Sequence, residues 1–450
     1  MIYDKTLGIF AKSLPVPLYV VGGFTRNYLI DRSVSCDVDL CGILTTQSLE
    51  IALKEVGAKV VATYPRTGTI VFILNGQKYE YTTFRKDGYS VGGKHTPDSV
   101  EFTDDILEDA LRRDFKCNAV YYDLKNDEFI DPLGGIEDIK NKVLDTVKSA
   151  DEVFSHDGLR LMRLARFSGE LGFTPTRQVV EGARKNARNI KDISPERIWT
   201  ELQYICHADT KHPFSPSDGH YRALKVLDRT RVLDEIFPSL VMGRGLEQRK
   251  DYHDYDVLEH SLRCVLYADK KVRISALFHD VAKSKLMLQK GNAYGHDKTG
   301  SIMAKEILKG LKADNKTIEK SCRIIGAHML DMDCKMKESK VRSFILSNAD
   351  IFEEVLMLKQ ADFSACKDDL SICPTVKKWK EIYNQMKKDG TPFTVKELAV
   401  NSGDVMNAGF NGEDIGKVLR KLLKDCQNNP KENVKAKLLQ KIAKFKEKSS

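Results

Sequence analysis

At 450 residues the chain is too long for one ordinary hydrophobic core, so several compact units are expected. Hydrophobic residues make up 42% and charged residues 30%, with only 13 prolines, which excludes a disordered or collagen-like chain. The formal net charge is +8, and the segment from Lys417 to Ser450, with eleven Lys or Arg against three Asp or Glu, equals that whole excess; a basic end suits a polyanion such as RNA and equally a solvated helix.

No stretch approaches the roughly 18 apolar residues of a membrane span, and the start MIYDKTLGIFAKSLPVPL lacks a basic segment followed by an apolar run, so a cytoplasmic protein without a membrane partner is expected. The ten cysteines are scattered, with no C-x-x-C pair, and read as reduced thiols.

In chain order, LYVVGG and TIVFIL are short apolar runs, KYEYTTF alternates, and VYYDLKNDEFIDP reads as a hairpin turning at Lys125, Asn126 and Asp127. From Ile139 onward the pattern changes to helix-period segments, among them DGLRLMRLARFSGEL, ERIWTELQYI, VLEHSLRCVLYA, KVRISALFHDVA and IGKVLRKLLKDC. The predicted class is α+β: a head over residues 1–138 with a small mixed sheet, followed by all-α segments. Glycine- and charge-rich breaks at GRGLEQRK and KKDGTP divide these into a neck (139–242), a body (243–388) and a basic tail (389–450).

Two head motifs carry chemistry. VVGGFTRNYLI reads as strand, two glycines and helix start: Gly22 and Gly23 let the backbone approach a phosphate, helix-start amides face that anion, and Arg26 adds positive charge one turn in. SCDVDLCG places Asp37 and Asp39 at i and i+2 of a strand, on one face, where they can share a hard cation. Alone, such a pair is more often an edge or turn feature than a ligand set; next to the glycine motif the metal reading leads.

These motifs resemble the DNA polymerase beta-like nucleotidyltransferases, and more closely the bacterial class II tRNA CCA-adding enzymes and poly(A) polymerases, whose pattern is GG-x-x-R-D followed by D-x-D. Asn27 stands where that family carries an aspartate. The resemblance continues through RRDFKCNA (112–119), DPLGG (131–135), HDGLRLMRLARF (156–167) and ERIWTEL (196–202). It implies addition of C, C and A to a tRNA 3′ end from CTP and ATP, with Mg2+ at the head. Transfer of a nucleotide to a 3′-hydroxyl uses one metal on the attacking oxygen and another on the triphosphate, for which Asp37 and Asp39 are the expected ligands. Glu80, on the alternating strand, is a third acidic candidate or a surface glutamate. Arg113 is expected to reach phosphate, and Asp114 with Asn118 to meet ribose hydroxyls.

On the neck, Asp157, Arg160, Arg163 and Arg166 recur at i+3 spacing and are expected to line one helix face opposite Leu159, Leu161, Met162 and Ala165. Cytosine and adenine both show an exocyclic amino donor beside an unprotonated ring nitrogen. A carboxylate (Asp157) paired with a guanidinium (Arg160) therefore accepts C and A and rejects U and G. The resembling family uses this position as an amino-acid template, with Glu where His156 stands here. Between the head motifs, Phe84 to Phe102, with Gly88, Gly92, Gly93 and Pro97, predicts a mobile loop, which members adding the terminal A carry.

In the body, His260, His279, Asp280 and Asp362 follow the order of HD-domain phosphohydrolases, with His296 and His328 as further ligands or phosphate contacts and Lys283 as a phosphate partner. Imidazoles with carboxylates suit a divalent metal such as Mg2+, Mn2+, Ni2+ or Co2+, and the resemblance implies hydrolysis of cyclic or terminal phosphates on RNA ends. The tail resembles the family segment that packs along tRNA. No obligatory protein partner is evident. The alternatives are a poly(A) polymerase, a partial (CC- or A-) adding enzyme, or an RNA-binding HD phosphohydrolase with an inactive head.

Overall fold

The computed structural model describes residues 5–33, 37–89, 93 and 97–447. Cys36 and Gly92 lie outside the described residues. The chain forms two compact units, Met1–Leu246 with Lys305–Asn315, and Glu247–Ala304 with Lys316–Ser450. Head and neck thus share one unit.

In the first unit the head runs α1 (Lys5–Ser13), β1 (Leu18–Val21), α2 (Gly23–Ile30), β2 (Asp39–Gly42), α3 (Thr46–Glu55), β3 (Lys59–Tyr64), β4 (Thr69–Leu74), β5 (Gln77–Thr83), β6 (Arg85–Gly88), β7 (Ser99–Phe102), α4 (Ile106–Leu111), β8 (Tyr121–Asp123), β9 (Glu128–Ile130) and α5 (Gly135–Asn141). Its seven-stranded sheet has the order β3-β4-β5-β2-β1-β8-β9 and is antiparallel except for the β2–β5 pair. Period-two alternation sends Ile70, Phe72, Tyr79 and Tyr81 into one core with Leu7 and Phe10 of α1 and Leu49 and Leu53 of α3. Glu80 is thereby turned to the opposite face.

The expected hairpin turn is present between β8 and β9, with Asp127 in left-handed backbone (φ 62°). The loop expected over Phe84–Phe102 begins and ends instead as a paired ribbon, β6 with β7. Cross-linking explains the difference: Phe84 is buried and stacks on Tyr19 with centroids 5.6 Å apart, and an Arg85–Asp87 ion pair closes at 2.8 Å.

The neck continues with β10 (Val143–Leu144), α6 (Ala150–His156), α7 (Leu159–Leu171), β11 (Thr174–Pro175), α8 (Arg177–Lys185), α9 (Pro195–Cys206), α10 (Gly219–Arg229), α11 (Val232–Ile236) and α12 (Pro238–Val241). Helix α7 is buried nearly all round rather than presenting a charged outer face, since Arg160, Ser168 and Glu170 are buried along with its apolar residues. Asp157 is not on this helix. It lies in an extended link (φ −146°, ψ 104°) after α6, and its Oδ1 accepts from the Leu159 amide at 2.9 Å, so it heads α7 instead of joining its arginine ladder. Gly158 permits that sharp link, because a Cβ there would fall 2.3 Å from the Asn189 carbonyl oxygen.

The remaining helices are α13 (Val257–Tyr267), α14 (Arg273–Phe278), α15 (Lys283–Lys290), α16 (His296–Gly310), α17 (Asn315–Ala327), α18 (Glu338–Ser347), α19 (Phe352–Lys367), α20 (Pro374–Lys388), α21 (Ser402–Asn407), α22 (Glu413–Asn428) and α23 (Lys435–Glu447). The last three enclose their own core, with Val418, Leu419, Leu422, Leu438 and Ile442 inside and Lys417, Arg420, Lys421, Lys424, Lys437 and Lys444 exposed. Among the described residues no helix is long and apolar enough to cross a membrane.

Two close contacts join elements of the first unit. A Cβ on Gly169 of α7 would lie 2.3 Å from the Gly219 carbonyl oxygen of α10, so these helices touch backbone to backbone. Asp109, fully buried on α4, pairs with Arg112 at 2.7 Å and Arg113 at 2.9 Å and accepts from the Tyr121 hydroxyl at 2.7 Å. Burial alone would raise its carboxyl, but the two arginines and the hydroxyl outweigh that and hold it down at about 2.

Gly169→Ala should therefore destabilise the first unit by about 1–3 kcal/mol, read as a lowered urea midpoint. Asp109→Ala should cost more, about 3–5 kcal/mol, because it leaves buried guanidinium charge uncompensated. A depressed folded pKa means the Asp109 contribution is fully present above the unfolded value near 4 and is lost as pH falls through about 2. The difference in stability between wild type and Asp109→Ala should shrink over that window, and a difference that stays constant down to pH 2 would contradict the ion-pair account.

Candidate active site and candidate metal centre

Strand β1 ends at Val21 opposite Asp39 of β2, and the chain turns through Gly22 into α2. Gly22 has φ +80°, a conformation side chains rarely adopt, and this turn brings the helix start over the carboxylate: a Cβ on Gly22 would sit 3.6 Å from Asp39 Oδ2. Asp39 pairs in register with Glu80 across the parallel β2–β5 ladder, so both carboxylates stand side by side on the face away from the core. Asp37 lies just before β2 and opens on the same cavity.

That cavity, about 780 Å3, is lined by every head and neck residue expected from the sequence: Gly22, Gly23, Arg26, Asp37, Asp39, Glu80, Arg113, Asp114, Asn118, Asp157, Arg160, Arg163 and Arg166. Burial first, then the negative charges of Glu80 and Asp37, push the Asp39 carboxyl up to about 6. Three carboxylates that resist a shared charge are a donor set suited to a hard divalent cation, so the residues fit the expected metal.

The arginines are held in place by neutral or negative partners. Arg26 donates to Asn27 Oδ1 at 2.8 and 3.0 Å and to Asn118 Oδ1 at 2.5 Å, and its guanidinium lies 5.0 Å over the Phe167 ring. Asn27 therefore grips Arg26 without adding charge. Asp114 takes Arg163 at 2.6 and 2.7 Å, the Asn118 amide at 3.0 Å and the Phe115 amide at 2.8 Å. Burial would raise its carboxyl, yet Arg163 and Asn118 hold it far below the usual range. Asp114 and Asn118, expected at ribose hydroxyls, are thus largely engaged in orienting Arg163 and Arg26. Arg113, expected at phosphate, is anchored by Asp109 and Tyr121. Arg166 pairs with Glu201 of α9 at 3.3 Å and with Glu170 at 4.0 Å.

Asp157 and Arg160 are both buried, with Nε to Oδ2 at 3.8 Å, and Arg160 donates to the Arg112 carbonyl oxygen at 2.5 Å. Tyr89 stacks on His156 at 5.3 Å, and Arg160 sits 6.0 Å over the same tyrosine ring. The sequence reading missed Arg85, Asp87, Tyr89, Arg112, Glu170, Arg197, Lys211 and His212, which also line the cavity. Glu170 was legible as the i+4 partner of Arg166; Lys211 and His212 follow no periodic signal.

In the second unit, His260 of α13, His279 after α14 and Asp362 of α19 converge, with His260 Nε2 2.9 Å from Asp362 Oδ1 and 3.3 Å from His279 Nε2. Asp280 faces both ways. Its Oδ2 lies 3.4 Å from His279 Nε2, while its Oδ1 lies 3.1 Å from His296 Nε2 and 3.9 Å from His328 Nε2. These donors form two sets, His260-His279-Asp362 and Asp280-His296-His328, each with its atoms within 4.8 Å of one another. Nδ1 of His279, His296 and His328 bonds the carbonyl oxygens of Ala276, Ala293 and Ile325 at 2.7, 2.8 and 2.6 Å, which turns the Nε2 lone pairs inward. Asp280 Oδ1, His296 Nε2 and His328 Nε2 are buried without a hydrogen-bond partner, which is the state of atoms built to hold a cation. Lys283, expected at phosphate, donates to Asp280 at 2.9 Å and to Gln248 at 2.7 Å. His253 and Cys366, beside His260, were not foreseen.

Residues 18–145 match the poly A polymerase head domain, residues 172–242 a segment described as "Probable RNA and SrmB- binding site of polymerase A", and residues 256–362 the HD domain. The CCA-adding enzyme of Lactobacillus helveticus is 36% identical over 209 residues, covering 44% of this chain and 50% of that protein. That of Geobacillus kaustophilus is 36% identical over 205 residues, covering 45% and 49%. The chain thus spans about half the length of the curated relatives it matches. In fold it is similar to the crystal structure of the Bacillus stearothermophilus CCA-adding enzyme in complex with CTP, with a TM-score of 0.61 and 23% identity over 99% of each chain. The glycine turn and paired carboxylates thus lie in the part of the chain that matches the poly A polymerase head domain, the histidine and aspartate centre lies in the part that matches the HD domain, and the chain is similar to CCA-adding enzymes over about half of their length.

Proposed function

We propose that this protein adds C, C and A to the 3′ end of tRNA, using CTP and ATP as donors. One observation carries the reading: a single cavity joins the carboxylates Asp37, Asp39 and Glu80 to the Asp157–Arg160 pair, so a nucleotide held at one end presents its base at the other. Mg2+ ions, when bound, supply charge neutralisation on the triphosphate and activation of the attacking hydroxyl. Asp37 and Asp39 are the residues that hold them, with Glu80 beside Asp39 as a third carboxylate. The amides after Gly22 and the guanidinium of Arg26 bind phosphate oxygens, and the Asn27 and Asn118 contacts keep Arg26 from swinging onto the carboxylates.

At the other end Asp157 accepts from the exocyclic amino group of cytosine or adenine, and Arg160 donates to the adjacent ring nitrogen. The Asp157 backbone is set by its bond to the head of α7, and Arg160 is tied to the Arg112 carbonyl, so the pair is pre-organised for that edge. Exposed lysines of α22 and α23 offer a phosphate-backbone contact for tRNA. The HD centre hydrolyses a phosphoester at an RNA end, a cyclic or terminal phosphate, with a divalent ion such as Mg2+, Mn2+, Ni2+ or Co2+ held by His260, His279, Asp280 and Asp362. The unpartnered lone pairs of Asp280, His296 and His328 support that reading.

Given tRNA lacking its 3′ end and one nucleotide at a time, the wild-type protein should incorporate CMP, CMP and AMP. Asp39→Ala should lower incorporation at least about a hundred- to a thousandfold with tRNA affinity unchanged. Asp157→Ala should relax discrimination against UTP and GTP by roughly ten- to a hundredfold, as loss of a base-edge hydrogen bond requires; unchanged discrimination would remove the template role. In the second unit, His279→Ala with Asp280→Ala should abolish hydrolysis of 2′,3′-cyclic phosphate and leave CMP addition within about tenfold. Hydrolysis surviving that double substitution would place the activity elsewhere.

A further inference from the structure

Beside the HD donor sets lies a third group. One ligand atom each from His253, His260 and Cys366 falls within 4.8 Å of the others. His253 sits in the segment ahead of α13, and that segment is pinned to α19 by the Asp254 amide, which donates to the Cys366 carbonyl oxygen at 3.0 Å. Cys366 lies one turn after Asp362, and its thiol reaches the Asp362 carbonyl oxygen at 3.3 Å. The rings of His253 and His260 stand at 89° with centroids 4.9 Å apart.

The histidines here differ from the others in one respect. Nδ1 of His279, His296 and His328 each has a backbone carbonyl, whereas Nδ1 of His260 and Nδ1 of His253 are buried with no hydrogen-bond partner. His260 is fully buried, and its Nε2 is already committed 2.9 Å from Asp362 Oδ1. Its remaining nitrogen is therefore the donor left for this third group. Leaving two buried imidazole nitrogens unpaired is costly unless something fills the gap.

We propose that His253, His260 and Cys366 form an additional cation site for a borderline-soft divalent ion of the zinc or cobalt class, joined to the first HD donor set through the shared His260 ring. Two imidazoles and a thiolate match the ligand preference of such ions and not that of Mg2+. Tetrahedral coordination separates ligand atoms by about 3.3–3.6 Å, so closing on an ion needs side-chain movements of roughly an ångström. Binding displaces the proton of the Cys366 thiol and, with both nitrogens of His260 in use, the proton of its ring; both leave to solvent. A site of this kind fixes the His253 segment to α19 at the edge of the HD centre, and it is independent of nucleotide transfer.

The test uses the full-length protein, stripped of metal and titrated with Co2+, alongside Cys366→Ser and His253→Gln. Wild type should develop the near-ultraviolet sulfur-to-cobalt charge-transfer band and bind one equivalent more than either variant. Cys366→Ser should lose the band while CMP incorporation by the head stays the same in all three proteins, and matching far-ultraviolet circular dichroism and thermal unfolding of the three metal-free proteins show that the variants are folded. A wild-type protein without the band, a band that persists in Cys366→Ser, or equal stoichiometry in wild type and His253→Gln would each overturn the proposal. Should Cys366→Ser fail to fold, the stoichiometry of His253→Gln decides. Metal counts, CMP addition and cyclic-phosphate hydrolysis are separate readouts, so failure of this site and failure of the proposed enzymatic activities are distinguishable.

Discussion

The first unit depends on a chain of buried charge compensation that begins at Asp114. Its carboxylate takes the Arg163 guanidinium from α7, its neighbour Asn118 takes Arg26 from α2, and three arginines, Arg26, Arg163 and Arg166, crowd within about 5 Å of the Phe167 ring. Without paired carboxylates and carbonyls this density of guanidinium groups could not be buried, because each unpaired charge in a poorly solvated site costs several kcal/mol. The cavity owes both its positive walls and its rigidity to that arrangement. Anything that enters the cavity meets side chains whose positions are already set.

The same economy governs the second unit in a different chemistry. Histidines can present a lone pair reliably only when the other nitrogen is committed, and His279, His296 and His328 commit theirs to carbonyls of the residues three before them. Local helix and turn geometry thereby aims His279 into one donor set and His296 and His328 into the other, while α19 supplies Asp362 from about a hundred residues away. Asp280, directly after His279 in sequence, joins the two donor sets because its two oxygens face opposite groups.

Much of this was legible beforehand. The glycine turn, the D-x-D pair, the alternating strand that carries Glu80 and the H…HD…D order are local patterns or short-range spacings, and each survives as a feature of the site. The clearest departure is Asp157. Its i+3 spacing from Arg160 suggested a shared helix face, but the glycine that follows allows a close approach to Asn189, and the chain breaks there before α7 begins. Periodicity cannot report such a break, since it arises from a backbone contact with a residue about thirty positions away.

What the sequence by itself determined is the set of reactive groups and the faces they occupy: two carboxylates two residues apart, glycines before a helix, arginines at helical spacing, and histidines in a fixed order. These follow from local stereochemistry, which links side-chain direction to position within a strand or helix. The tertiary structure decided which protein partners those groups take. Asp114, Asn118, Arg113 and Lys283 read as ligand contacts in sequence, and in the structure each is also tied to a protein partner, Arg163, Arg26, Asp109 and Asp280 respectively. The physical reason is that a buried polar group must be satisfied by whatever the fold brings near it, and the partners of these residues are chosen by packing between elements distant in the chain.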